Sequence, residues 1–88
     1  MGHTPKAIEI FEKAVGLFPS STVLLNNLGI QYIKNNQIDY AIEILEKAIM
    51  IEKKLYLYNN LALAYAMKGD EEKSMLLYKR ALELKSKE

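Results

Sequence analysis

Ala7-Ile8-Glu9-Ile10-Phe11-Glu12-Lys13-Ala14 returns as Ala41-Ile42-Glu43-Ile44-Leu45-Glu46-Lys47-Ala48, displaced by 34 residues with only the Phe/Leu position changed. A displacement of 33 sets Asn26-Asn27-Leu28 and Tyr32 on Asn59-Asn60-Leu61 and Tyr65, and Ala48 on Ala81. The one-residue difference falls around Lys53-Lys54, a charged connection where a deletion costs little packing. Self-similarity at such a period means a stacked repeat, in which each unit buries its apolar side only against its neighbours.

Each period reads as two helices. From Thr22 to Lys34, Leu25, Leu28 and Tyr32 recur at i, i+3 and i+7, one stripe of a 3.6-residue helix. Asn35-Asn36 ends it, because asparagine tolerates the left-handed backbone that a helix terminus needs. From Ile38 to Ile51, Ala41, Leu45, Ala48 and Ile49 share a face. The second copy repeats the plan, with Leu55 to Lys68, a stop at Gly69, Asp70 as N-cap, then Glu71 to about Lys85. Ahead of both lies a lone helix, Pro5 to Phe18, with Thr4 as its expected N-cap and Pro19-Ser20-Ser21 as the break. The expectation is five helices and no strand.

These positions resemble the tetratricopeptide repeat, whose pattern runs from a large residue through Leu-Gly, Tyr, Ala, an aromatic and Ala to Pro. Leu25, Leu28-Gly29, Tyr32, Ala41, Leu45 and Ala48 meet it in the first full copy; Tyr58, Leu61-Ala62, Tyr65, Ser74, Tyr78 and Ala81 meet it in the second. The lone helix carries the second half only, in Ala7, Phe11, Ala14 and Pro19. Small residues at Gly29, Ala62, Ala41 and Ser74 let paired helices cross closely. The resemblance implies an all-α fold, a right-handed superhelix of antiparallel helix pairs. It contains a half repeat (4–21) and two full repeats (22–54 and 55–88) in one domain, with Met1-Gly2-His3 set aside as an expression remnant.

The resemblance also implies a concave surface, lined by the first helix of each repeat, that binds peptides or helices of partner proteins. Beside the buried stripe, Val23, Asn27, Ile30 and Lys34 form a second row on one helix, and Tyr56, Asn60, Leu63 and Met67 form its counterpart. These rows predict a groove for an apolar or amphipathic segment, with Asn26, Asn27, Asn59 and Asn60 offering amides to its backbone. Asn27 and Asn60 have a second reading, as partners for local backbone groups. Tyr56 and Lys34 are expected to be exposed. One use of this fold, a clamp for C-terminal carboxylates, is matched only at Asn27. Tyr56 and Asn60 stand where the clamp needs cations, so no clamp is expected.

The two ends of the array carry more apolar surface than one neighbour can cover. Ile8, Phe11, Val15 and Phe18 on the first helix and Met75 and Leu82 on the last are candidate self-association residues. Either the array is part of a longer one, or these surfaces close against another copy in a homo-oligomer, by contact or by helix exchange.

Composition removes most other chemistry. The 88 residues, 50% of them apolar, include no cysteine and a single histidine, which leaves thiol catalysis, a Ser-His-Asp triad and zinc without their parts. Glu9, Glu12, Glu43, Glu46, Asp70, Glu71 and Glu72 are spaced as a solvated helix face, with Glu9–Lys13, Glu43–Lys47 and Lys79–Glu83 as expected pairs. No enzyme, metal or cofactor is expected. A net charge of +1 argues against nucleic acid, and no run is long and apolar enough for membrane insertion. A soluble, cytoplasmic protein with a protein or peptide partner is the expectation that remains.

Overall fold

The computed structural model describes residues 3–87; Met1 and Gly2 of the supposed remnant, and Glu88, lie outside the described residues. Five helices follow one another: α1 (Thr4–Leu17), α2 (Thr22–Lys34), α3 (Ile38–Ile51), α4 (Leu55–Lys68) and α5 (Glu71–Ser86), with no strand among the described residues. The periodicity places these helices to within a residue or so of their ends.

The ends have local causes. The Ser21 hydroxyl accepts from Leu24 N at 3.3 Å, and the Asp70 carboxylate accepts from Lys73 N at 3.1 Å, so α2 and α5 are capped by their own side chains. At the other end of α2 and α4, Asn36 (φ 60°) and Gly69 (φ 94°) take the left-handed conformation at equivalent positions. There the next amide turns back, Gln37 N to Tyr32 O at 2.8 Å and Asp70 N to Tyr65 O at 2.9 Å, the Schellman closure. The first helix departs from expectation. Thr4 is not the cap, because helical backbone reaches back to His3, whose carbonyl accepts from Ala7 N at 2.9 Å. His3 is thus the N-cap residue of α1.

Helices pack on their chain neighbours, and α2 also meets α4. Leu25, Leu28, Tyr32, Ala41, Leu45, Ala48, Leu61 and Tyr65 form the expected core. Leu25, Leu45 and Leu57 are fully buried. Each contributes on the order of 2 kcal/mol through removal of its side chain from water. Leu57 and Ala64 extend this core beyond the predicted stripe because α4 lies between α3 and α5 and is covered on both flanks. Thr22 Oγ1 donates to Glu52 Oε1 at 2.9 Å, tying the start of α2 to the end of α3.

The terminal surfaces divide. Ile8 is buried under its own chain, and Phe11 and Val15 are half-buried and packed against the core, because α2 covers that face of α1. These three are not the open surface the sequence suggests. Phe18, Met75 and Leu82 are exposed.

Candidate functional site

The surface shared by α2 and α4 is held by one polar bridge, in which Asn60 Nδ2 donates to Asn26 Oδ1 at 2.7 Å. Around it Val23, Leu63 and Met67 are open, at 60%, 42% and 49% exposure. Lys34 is also exposed, while Asn27 and Ile30 are half-buried. The surface is therefore apolar in patches with amides at its middle.

Two predicted residues sit elsewhere. Tyr56 is half-buried and packed against the core instead of standing free, because the first turn of α4 has core beside it. Asn59, the repeat equivalent of Asn26, points onward along the array and lines a cleft of about 410 Å³ with Leu55, Tyr78, Ala81, Leu82 and Lys85. Another cleft, of about 430 Å³, opens between α3 and α5 across α4, lined by residues that include Ile49, Met50, Tyr58 and Leu77. Sequence reasoning did not find either cleft. The signal available for the first was that two of its lining residues, Tyr78 and Ala81, are the repeat equivalents of Leu45 and Ala48, which are fully buried within the array.

Carboxylates serve the stacking. Tyr32 Oη donates to Glu12 Oε2 and Tyr65 Oη to Glu46 Oε2, the latter at 2.7 Å, so each repeat's first-helix tyrosine is bonded to the second helix of the preceding unit. Burial, then the hydrogen bond to Glu46, push the Tyr65 hydroxyl up to about 12; burial and Glu12 raise Tyr32 further. Of the expected helix-face pairs Glu9–Lys13 closes, at 3.5 Å, and Asp39–Lys68 at 2.6 Å joins α3 to α4. Glu43–Lys47 and Lys79–Glu83, also expected, do not close, because water competes well for long exposed charged side chains. Among the described residues no three His, Asp or Glu gather to hold a metal ion.

A sequence profile of the tetratricopeptide repeat matches residues 23–55 and again 55–88. The chain belongs to the tetratricopeptide repeat family. Among curated proteins it is similar to "BBSome complex member BBS4" of Bos taurus, 31% identical over 83 residues, which covers 94% of this chain and 16% of that protein. Among solved structures it is similar to the one described as "Crystal structure of MamA", with a TM-score of 0.90 at 30% identity, covering 98% of this chain and 51% of the other. A second, "MamA MSR-1 C2", has the same TM-score of 0.90 at 20% identity, covering 96% of this chain and 49% of that one, a likeness of fold alone. The chain thus spans a sixth of the curated relative and about half of the structural neighbours. No described helix is long and apolar enough to cross a membrane.

Proposed function

We propose that this chain is a non-catalytic scaffold module that holds an apolar or amphipathic segment of a protein partner along α2 and α4. The observation that carries this reading is the exposure of Leu63 and Met67 beside Val23 and the Asn26–Asn60 bridge. Side chains that leave the fold intact when exposed are free to desolvate against a partner. Family membership supports a role in protein interaction, and the site adds its chemistry. Asn27, with its amide half-buried at the groove, offers a donor and an acceptor to an extended or helical backbone.

A peptide library displayed on phage tests the reading, with selection on the immobilised chain and on a Val23→Asp/Leu63→Asp/Met67→Asp variant. Enrichment of a shared apolar motif on the first and its loss on the second is the expected result. Equal enrichment on both, with the variant's helicity intact, would place recognition on another surface and defeat the proposal.

Self-assembly is the second reading, favoured by Met75 and Leu82 on α5 at 72% and 66% exposure. Sedimentation over a concentration series tests it, and a monomer throughout is the result that overturns it.

A further inference from the structure

One packing face occurs three times in this molecule, covered twice and bare once. On α1 the row Ile8, Phe11, Val15 lies beneath α2; on α3 the row Ile42, Leu45, Ile49 is buried or half-buried where α2 and α4 pack. The same positions on α5 are Met75, Tyr78 and Leu82, at 72%, 41% and 66% exposure. Tyr78 and Leu82 form one wall of the cleft of about 410 Å³, with Leu55 and Asn59 on the other. On α1 and α3 this face is covered by a neighbouring helix.

The ends of the row distinguish α5 from the other two. One turn before the apolar residues, α1 has Thr4 and α3 has Ile38, whereas α5 has Glu71; one turn after, the residues are Phe18, Glu52 and Lys85. Both Glu71 and Lys85 are exposed. The row Glu71, Met75, Tyr78, Leu82, Lys85, spaced alternately by four and three residues, is therefore acidic at its start, apolar in its middle and basic at its end. Turned end for end, it is its own complement. Two antiparallel copies set Glu71 against Lys85, Met75 against Leu82 and Tyr78 against Tyr78, within one residue of a common two-fold. Parallel copies set like charges together.

A further repeat of the same kind fits this face less well. Tyr32 and Tyr65 reach back to Glu12 and Glu46, and the equivalent position on α5 is Lys79, which offers no acceptor.

We propose that two copies of this chain associate antiparallel through α5, by the Glu71–Met75–Tyr78–Leu82–Lys85 row, in a closed two-fold contact. The proposal rests on the self-assembly reading and leaves Val23, Ile30, Leu63 and Met67 to the groove. Met75 of the second copy, unbranched and adaptable, fills the cleft beside Leu82. With three apolar side chains per copy the contact buries less than about 1,200 Å², the range of weak complexes, so a dissociation constant on the order of tens of micromolar is expected.

Sedimentation equilibrium of the full chain, from low to high micromolar, tests the proposal. The wild type passes from monomer to dimer, while Glu71→Lys alone and Lys85→Glu alone stay monomeric. An equal mixture of the two variants regains the dimer, as does the doubly substituted chain, because the reversed charges again face their opposites. Leu82→Lys abolishes association. Every substituted residue is exposed, so helicity and thermal midpoint should be nearly unchanged, and regained association in the mixture excludes misfolding as the cause of its loss. A monomer at all concentrations overturns both this contact and self-assembly. A dimer indifferent to Leu82→Lys overturns the α5 contact alone, leaving self-assembly through other surfaces. A dimer lost in Leu82→Lys but not regained in the mixture overturns the antiparallel register, and growth beyond two copies overturns the closed two-fold.

Discussion

Gly29 of α2 lies so close to Leu45 of α3 that a methyl group in its place would come within 2.7 Å of Leu45 Cγ. Leu45 is fully buried and has no free volume to withdraw into. Gly29→Ala gains about 1 kcal/mol of helix propensity and loses about 2 kcal/mol to overpacking, a net destabilisation of about 1 kcal/mol. Urea denaturation measures it. With Leu45→Ala already present, the same change should stabilise, because the clash is gone and the propensity gain remains.

The tyrosine pair predicts an alkaline limit. The Tyr65 hydroxyl titrates at about 12 in the folded chain against an ordinary value of 10.0, and Tyr32 is raised as well, so the neutral forms are favoured by folding. Below pH 10 this contribution is fully present; above it the unfolded chain releases protons that the folded chain keeps, and the share due to Tyr65 is lost progressively until about pH 12, while that due to Tyr32 goes on falling beyond. Tyr65→Phe should flatten that fall and lower stability at neutral pH by about 1 kcal/mol, the hydrogen bond lost. Urea midpoints at a series of pH values, taken for wild type and variant, compare the slopes. Equal slopes would remove Tyr65 from the account.

Asn26 and Asn60 are expected to act as a unit. Asn26→Ala and Asn60→Ala should each cost about 0.5 to 1 kcal/mol, and the double variant little more than either, because both remove the same bond. Additive costs in thermal or urea unfolding would mean that each amide has a separate partner.

Asn36 and Gly69 occupy the same left-handed turn in successive repeats. Gly69→Ala should destabilise by about 1 kcal/mol, since a Cβ is strained at its positive φ, whereas Asn36→Gly should leave stability nearly unchanged or raise it slightly. Thermal midpoints of the two variants read this directly.

Several of these features are legible in the residues alone. The period of 33 to 34, the left-handed stops at Asn36 and Gly69, the Asp70 cap and the spine from Leu25 to Tyr65 follow from spacing and residue type, because they depend on contacts within one helix or one turn. Family membership follows from the same spine. The packing between units was not legible. The sequence repeat sets Asn26 on Asn59, yet the bond runs from Asn60, one position on, because neighbouring repeats meet with an offset that no alignment of equivalent residues contains.

Amino-acid order by itself determined that helices would pair and stack, and roughly where each would begin and end, since periodicity and turn chemistry are local properties. Only tertiary structure decided that α2 covers Ile8, that α4 is buried on both flanks at Leu57 and Ala64, and that Asn59 lines a cleft with α5 while Asn60 bonds Asn26 of α2. These outcomes depend on how closely helices cross, which is set by the volumes that meet at places such as Gly29 and Leu45.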